Sequence, residues 1–184
     1  MALERTRMTV EEYERLIRLP ENAERRFELI DGKMIEKMPT QLHAIIVHLL
    51  NGFLFLYVRE HPIGWVLPEA RCALPDDPDN TVIPDLSFVL SEGKTLIEEG
   101  AAPYMPDLAI EVQSPGQSDK FMADKARYYL THGSRMVWLV YPKKQIVEVL
   151  TADDRRLLTP GDTLSGGELL PGFTLPVGDI FPKT

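Results

Sequence analysis

The sequence predicts an α/β fold with a mixed sheet, whose core elements follow the order helix, three strands, helix and strand. Apolar residues recur at three-and-four spacing in two segments, which is typical of helices, whereas short apolar or alternating runs bounded by turn residues are typical of strands. A length of 184 residues with 44% hydrophobic residues fits one domain with a proper core. We therefore predict a single domain over residues 1–184.

The N-terminal segment 1–38 is predicted to form a helix and a hairpin. Thr9 followed by Glu12 is a capping-box pattern, so a short helix should begin there and end near Pro20. Two strand-like runs then flank Asp31-Gly32, a dipeptide that suits the positive φ angles of a type I′ turn. These runs span residues 26–30 and 33–37.

A long helix should begin at Pro39-Thr40 and form the centre of the core. Its most apolar stretch, residues 42–58, is shorter than the ~20 residues of a membrane span and contains three polar side chains. We therefore expect a core helix and no membrane partner. The periodic apolar residues are Leu42, Ile45, Ile46, Leu49, Leu50, Phe53, Leu54 and Tyr57.

Three strands and a second helix should follow within the predicted core segment 39–150. Ser118 can cap the helix, which should run to about residue 132, where Gly133 supplies a left-handed stop. A further hairpin is expected, and residues 151–184 should form short C-terminal strands and turns. The three strands are predicted at 64–74, 81–90 and 106–113, and the hairpin strands at 136–141 and 145–150.

Composition restricts the function and the location of the chain. The formal net charge of −8 argues against coating nucleic acid by bulk electrostatics, but leaves a locally basic cleft open. The single cysteine, Cys72, cannot form an intramolecular disulfide and suits a reducing compartment. The first residues lack the apolar region of a secretory signal, so we expect a cytoplasmic protein.

Two acidic residues are the candidate chemical centre. Alternation along strand 81–90 places Asp85 on one face, and alternation along 106–113 places Glu111 on one face, each opposite an apolar face. If the strands are neighbours, both carboxylates project from the same side, where they repel unless a cation lies between them. Oxygen ligands of this kind favour Mg²⁺ or Mn²⁺ and imply hydrolysis of phosphodiester bonds. Two solvated or ion-paired carboxylates are the alternative.

Asp107 repeats the Pro-Asp dipeptide but cannot share an ion with Glu111. Four residues along a strand span roughly 13 Å at ~3.3 Å per residue, whereas Mg²⁺ binds its ligands at ~2.1 Å. We therefore assign Asp107 to the strand entrance.

The motifs resemble a known nuclease family. Pro84-Asp85, followed by Glu111-Val112-Gln113 on the next strand, resembles the PD-(D/E)XK signature of restriction-endonuclease-like nucleases. A longer set of motifs is similar to the Uma-two family of restriction-endonuclease-like proteins, over nearly the whole chain. That set comprises Phe27-Glu28-Leu29-Ile30-Asp31-Gly32, His43, Pro84-Asp85-Leu86, residues 106–108, residues 111–118, Lys125, Tyr129, Gly133 and residues 137–140.

The resemblance implies a restriction-endonuclease-like core, a divalent metal and DNA as the substrate. It implies that Asp85 and Glu111 bind the metal, with the Val112 carbonyl as a third ligand. Gln113 departs from the usual motif, which has a lysine there to orient the attacking water and to neutralise developing charge. Lys125 can substitute for that lysine from the following helix, although a solvated helical lysine is the alternative.

Two accessory residues also follow from the resemblance. Glu28 can bind a second metal or a water, or only form an ion pair with Arg25, Arg26 or Lys37. His43 can take part in the site, or only pack in the core from the first turn of the long helix.

We expect a metal-dependent deoxyribonuclease. The alternatives are a catalytically silent domain that binds DNA or a protein partner, and a small-molecule binding module. Cutting both strands of a duplex often needs two active sites, so a homodimer is expected. The hydrolytic hypothesis requires that the oxygens of Asp85 and Glu111 be on one side of the sheet and not be paired with arginine or lysine.

Overall fold

The computed structural model describes residues 7–182 and separates the chain into two compact units. The predicted single domain also includes residues 1–6 and 183–184, which lie outside the described residues. The first unit contains Met1–Met38, Arg71–Ile83 and Leu96–Tyr104, and the second contains Pro39–Ala70, Pro84–Thr95 and Met105–Thr184.

The first unit begins with the predicted helix and hairpin. Helix α1 (Val10–Ile17) has Thr9 as its N-cap, and the reciprocal bonds of the capping box with Glu12 are both present. Strands β1 (Phe27–Ile30) and β2 (Lys33–Glu36) pair antiparallel. Between them Asp31 and Gly32 have φ angles of 50° and 69°, which confirms the turn that this dipeptide predicts.

Tyr13 joins the helix to the hairpin in this unit. Its ring is buried with Phe27 and Leu29, and its hydroxyl donates a hydrogen bond to the carbonyl oxygen of Phe27. A single bridge pairs Leu29 with Thr81, so the segment after residue 80 continues the pairing of β1. The first unit therefore has a small core of its own.

Helix α2 (Gln41–Glu60) begins the second unit and is capped by Thr40, whose hydroxyl accepts a hydrogen bond from the His43 N–H at 3.3 Å. By length and composition alone α2 could cross a membrane, with a mean hydropathy of 1.6 over an 18-residue window, of which 28% is buried. One face nevertheless packs in the main hydrophobic cluster through Ile46, Leu50, Leu54 and Tyr57. That packing confirms the predicted core helix.

A six-stranded mixed sheet forms the rest of the second unit, in the order β3-β4-β5-β6-β7-β8. Neighbouring strands pair antiparallel except β5 and β6, which are parallel and are connected through α3 (Asp119–Thr131). The strands are β3 (Gly64–Pro68), β4 (Leu86–Leu90), β5 (Leu108–Val112), β6 (Met136–Tyr141), β7 (Ile146–Leu150) and β8 (Arg155–Leu158).

The second unit ends in a short antiparallel pair, β9 (Thr163–Ser165) and β10 (Thr174–Pro176). Leu164 and Leu175 of this pair belong to the main hydrophobic cluster, together with Trp138 of β6. The expected C-terminal short strands are therefore confirmed, and they close one side of the core.

Three predicted strands are longer than the observed ones. The strand predicted at 64–74 ends at Pro68, and the next residue, Glu69, has a φ angle of 50° that leaves the strand region. The strand predicted at 81–90 begins only at Leu86, because Pro84 has no N–H to donate to a sheet. Pairing on β5 is likewise limited to Leu108–Val112.

Helix α3 has both of its predicted ends. Ser118 Oγ accepts a hydrogen bond from the Phe121 N–H at 3.1 Å, and Gly133 follows the helix with a φ angle of 111°. Lys125 and Tyr129 are four residues apart on this helix, so their side chains share one face, the one toward β5 and β6.

Replacing Ser118 with alanine is expected to lower the free energy of unfolding by about 1 kcal/mol, because an exposed N-cap acceptor is lost. Ser118→Asp keeps an acceptor and should retain most of the stability. Urea unfolding followed by circular dichroism measures both variants. Equal losses in the two would contradict a capping role for this side chain.

Candidate active site

Asp85 directly precedes β4, and the register places it opposite Glu111 of the adjacent strand β5. The register of β4 and β5 pairs Leu86 with Ile110, so one further step along each strand places Asp85 opposite Glu111. Both residues are buried, with exposed fractions of 3% and 2%. The predicted adjacency of the two strands is confirmed, and two carboxylates are held away from solvent at one end of the sheet.

Two donors contact the Asp85 carboxylate. Its Oδ2 accepts a hydrogen bond from the Val112 N–H at 2.8 Å and lies 3.0 Å from His43 Nε2. His43 comes from the first turn of α2 and is 7% exposed. The sequence-predicted residue His43 therefore contacts Asp85, and α2 is fixed to the end of the sheet at this point.

The carbonyl of Val112 lies at a break in the ladder of hydrogen bonds. The N–H of Val112 points toward β4, and the N–H and C=O of one strand residue point the same way. Continuing the register of β4 and β5 puts Pro84 opposite Val112, and proline has no N–H to donate. Because Pro84 has no N–H, the Val112 carbonyl does not receive the sheet hydrogen bond that a residue at this position would normally donate.

The Glu111 carboxylate contacts two side chains of α3. Its Oε1 lies 2.7 Å from Lys125 Nζ and accepts a hydrogen bond from the Tyr129 hydroxyl at 2.7 Å. Lys125 is 4% exposed and Tyr129 is fully buried. Lys125 is therefore not a solvated helical lysine, and it comes to the acidic residue from the helix that the sequence predicted.

This ion pair fails one requirement of the hydrolytic hypothesis, which expected neither carboxylate to be paired with a basic side chain. Glu111 is paired with Lys125. The reason is electrostatic, because a buried carboxylate without a counter-charge is costly. The paired ammonium is also the group expected to substitute for the motif lysine, so the pair places that group at the site.

Gln113 is engaged outside the carboxylate pair. Its Nε2 donates hydrogen bonds to the Gln117 carbonyl at 3.0 Å and to Asp119 Oδ1 at 3.1 Å. Lys144 also contacts Asp119, and these two donors, Lys144 first, hold the pKa of the Asp119 carboxyl below its usual value. The amide of Gln113 therefore fixes the loop between β5 and α3.

Glu28 has a structural contact in the first unit. It is 1% exposed, and its Oε1 accepts a hydrogen bond from the Ile83 N–H at 2.8 Å. Lys37 Nζ donates to the Ile83 carbonyl at 2.8 Å, while Arg25 pairs with Glu36. Glu28 thereby holds the backbone of the residue that precedes Pro84 in the sequence.

Asp107 occupies the strand entrance, as the distance argument predicted. Its Oδ2 accepts hydrogen bonds from the Leu90 N–H at 2.9 Å and from Lys94 Nζ at 2.6 Å. These contacts tie the end of β4 to the start of β5.

A cavity of about 310 Å³ opens beside Asp85 and His43. His48, Asn51 and Glu69 also line it, and none of these three was predicted as a site residue. Pro68 could have indicated that the strand ends there and that Glu69 leaves it, because proline within an apparent strand often marks the end of the strand. Tyr129 was also missed as a partner of Glu111, although its four-residue spacing from Lys125 indicates a shared helix face.

The donor set fits a hard divalent cation in part. Asp85, Glu111 and the Val112 carbonyl supply oxygen ligands only, and Mg²⁺ commonly takes one or two carboxylates and keeps several waters. Within residues 7–182 no cluster of three or more histidine, cysteine or acidic side chains is arranged to hold a metal. The remaining ligands of a bound ion would therefore be water or substrate.

Comparisons with known proteins identify the family and a similar fold. Residues 10–178 match the Uma2 family, described as "Putative restriction endonuclease". A crystal structure of a putative nuclease belonging to DUF820 from Anabaena variabilis ATCC 29413 is similar, with 26% identity, a TM-score of 0.79 and coverage of 95% of this chain and 97% of that one. No curated protein sequence matches the chain. The predicted fold class is confirmed by the structural likeness.

Lys125→Met is expected to lower the free energy of unfolding by about 3–5 kcal/mol in metal-free buffer, because it leaves the Glu111 carboxylate buried without its counter-charge. Lys120→Met on the same helix is the matched control. Lys120 pairs with Asp124 at 2.5 Å, but its side chain is 83% exposed, so the change should stay within about 0.5 kcal/mol. Chemical unfolding measures both, and equal effects would refute the ion-pair role.

Proposed function

This chain belongs to the Uma2 family, and from that premise we propose that it is a metal-dependent endonuclease that hydrolyses phosphodiester bonds of DNA. The observation that carries the proposal is a buried group of three charged residues at one end of the sheet: Asp85 just before β4, Glu111 on β5 and Lys125 on α3. Hydrolysis of a phosphodiester needs ligands for a cation and a donor that stabilises developing negative charge. The two carboxylates can serve as the ligands and the ammonium as the donor.

Asp85, Glu111 and the Val112 carbonyl are the proposed ligands of Mg²⁺ or Mn²⁺. When bound, such an ion lowers the pKa of a water and neutralises charge on a phosphate. His43 is a positioning residue, because its contact at 3.0 Å fixes the orientation of the Asp85 carboxylate. The Val112 N–H fixes the same oxygen from the neighbouring strand.

Lys125 is the proposed donor to the attacking water or to the phosphate. Its ammonium is 2.7 Å from Glu111 Oε1. If Glu111 held a cation, that ion would supply part of the charge balance that Lys125 supplies here, and the ammonium would be available to a water or a phosphate beside it. Tyr129, whose hydroxyl donates to the same oxygen at 2.7 Å, then keeps Glu111 in place.

Gln113 is a less suitable donor than Lys125. An amide carries no charge to offset the developing negative charge, and its amino group already donates to the Gln117 carbonyl and to Asp119. We therefore assign Gln113 a role in shaping the loop beside the site.

Mn²⁺ or Mg²⁺ is expected to raise the thermal unfolding temperature of the wild-type protein. An ion at about 100 times its Kd stabilises the native state by about 2.7 kcal/mol, and Asp85→Asn and Glu111→Gln should each lose most of this increase. Asp107→Asn is the matched control, since Asp107 is also a buried acid, 7% exposed, and directly precedes the other end of β5. Differential scanning fluorimetry measures the shift.

The metal proposal fails if neither ion shifts the wild-type transition, or if Asp107→Asn loses the shift as completely as Asp85→Asn. The first result would favour a domain that has the nuclease fold but no catalytic activity. The second would mean that the cation binds to acidic residues in general.

Nicking of supercoiled plasmid in Mn²⁺ tests the chemistry. Lys125→Gln is expected to reduce the rate about 100-fold or more, as removal of a charged donor to the transition state does, while Gln113→Ala should stay within about tenfold. Glu111→Gln must abolish the nicking, which excludes a contaminating nuclease. A large loss with Gln113→Ala and a small one with Lys125→Gln would reverse the two roles.

A catalytically silent domain that binds DNA or a protein partner is the second candidate. The ion pair between Lys125 and Glu111 favours it, because a buried carboxylate that already has a counter-ion needs no metal for stability. Binding of DNA without nicking, and without a metal-induced shift, is the outcome that this candidate predicts.

A further inference from the structure

Helix α2 carries an apolar stripe on the side that faces away from the hydrophobic core. The stripe consists of Leu42, Ile45, Leu49, Gly52 and Leu56, which follow one another in steps of three, four, three and four residues. This is the spacing of the contact seam between two paired helices. The stripe is distinct from the face formed by Ile46, Leu50 and Leu54, which is fully buried.

Within residues 7–182, three members of the stripe are exposed and two, Leu49 and Gly52, are half-buried. Leu42, Ile45 and Leu56 have exposed fractions of 41%, 45% and 58%. A Cβ built at Gly52 would meet no described atom within 4 Å. Several exposed apolar side chains along one side of a helix favour a surface that another molecule covers. Charged side chains are also missing from residues 41–58.

We propose that a second copy of this chain packs on the stripe, with the two α2 helices antiparallel and the two-fold axis at Leu49. The stripe is nearly symmetric about Leu49: Leu42 and Leu56 lie seven residues on either side of it, whereas Ile45 lies four residues before it and Gly52 three residues after it. An antiparallel pair therefore sets each Leu42 against the partner's Leu56 and leaves Leu49 against its own counterpart. An isologous contact needs a self-complementary surface of this type.

Charge complementarity favours the antiparallel arrangement. The first turn of α2 has no acidic residue, whereas Glu60 is exposed at the C-terminal end of the same helix. A carboxylate is unfavourable there and favourable beside a helix N-terminus. With the axis at Leu49, Glu60 of one copy lies about one turn, ~5 Å, beyond the partner's α2 N-terminus along the helix axis, and the two axes are ~8–10 Å apart. Arg59 instead lies over the Phe55 ring of its own helix at 5.9 Å.

The size of the stripe sets the expected strength. From Leu42 to Leu56 it extends about 21 Å at about 1.5 Å per residue, and one helix face of that length is smaller than the ~800 Å² that each partner of a stable complex usually buries. Gly52 offsets this in part, since a residue without a side chain allows two helices to approach closely. We therefore expect a reversible dimer with a Kd in the micromolar range.

The pairing does not depend on the proposed nuclease function, but it has a consequence for it. The two-fold axis is perpendicular to both helices and to the line that joins them. The residues of α2 that line the cavity lie nearly opposite the stripe, so pairing leaves the cavity uncovered in both copies. If the cavity is a nuclease site, both sites of the pair therefore remain accessible to DNA.

Sedimentation velocity from about 1 to about 200 µM tests the proposal. The wild-type sedimentation coefficient should rise with concentration, and Leu56→Lys should remain monomeric throughout. Leu157→Lys is the matched control, because Leu157 is a leucine of nearly equal exposure, 57%, on β8. Circular dichroism checks that all variants are folded.

A charge pair then tests the antiparallel register. Leu42→Glu and Leu56→Lys should each abolish association, and the double variant L42E/L56K should restore it, because the two new charges meet only between antiparallel copies. A parallel pair would instead set like charges together. Residues 42 and 56 are too far apart along one helix to pair within the chain.

Three results would overturn the proposal. These are a wild-type protein that stays monomeric at every concentration, a Leu56→Lys variant that associates as the wild type does, and a double variant that fails to recover. Co-sedimentation of a monomeric wild type with phosphatidylcholine vesicles, lost in Leu56→Lys, would overturn it as well and would assign the stripe to a lipid surface.

Discussion

Two carboxylates are buried at one end of the sheet, and the second unit has to supply each of them with a hydrogen-bond donor or a counter-charge. Asp85 and Glu111 lie on adjoining strands with exposed fractions of 3% and 2%, and an unpaired charge at such positions is costly. The first turn of α2 therefore has to bring His43 to Asp85, and α3 has to bring Lys125 and Tyr129 to Glu111. Because α2 shares the core with Ile110 and the side chain of Glu111 lies on the other face of β5, α2 and α3 pack on opposite faces of the sheet. The register sets Asp85 opposite Glu111, but their helix contacts come from different faces, so the requirement that both carboxylates lie on one side of the sheet is met by the register alone.

Proline explains why this end of the sheet is open. Pro84 cannot complete the ladder opposite Val112, so β4 begins two residues later and the N–H of Val112 turns to the Asp85 side chain. The same residue that ends the pairing thereby fixes the orientation of the carboxylate and leaves a backbone carbonyl beside it. The Pro-Asp dipeptide is thus a structural device as well as a motif. Pro106-Asp107 repeats it, because the register puts Pro106 opposite Leu90, whose N–H donates to Asp107 Oδ2 at 2.9 Å.

Local patterns predicted more of the fold than of the site. Thr9, Ser118, Asp31-Gly32 and Gly133 each act within a few residues, so the sequence alone locates the helix ends and the hairpin. The ends of the strands depend on partners that are distant in the sequence, and the strand predicted at 64–74 was accordingly too long. The pairing of Lys125 with Glu111 has the same origin, because alternation within a strand predicts the face of an acidic residue but not which helix covers it. Glu69 and His48 line the cavity only through the packing of other elements.

The contacts that α2 makes with the core and with Asp85 restrict what can cover its apolar stripe. Composition alone allows α2 to cross a membrane, but transfer to a bilayer would remove Ile46, Leu50 and Leu54 from the main cluster and His43 from Asp85. The carboxylate would then lose a donor while it stays buried, and the core would lose the apolar area of three large side chains at roughly 1.5–3 kcal/mol each. A partner helix on the outer stripe covers the remaining apolar surface and leaves both of these contacts intact. In the arrangement that we propose, one face of α2 packs in the core and contacts Asp85 through His43, while the stripe packs against a second copy of the chain.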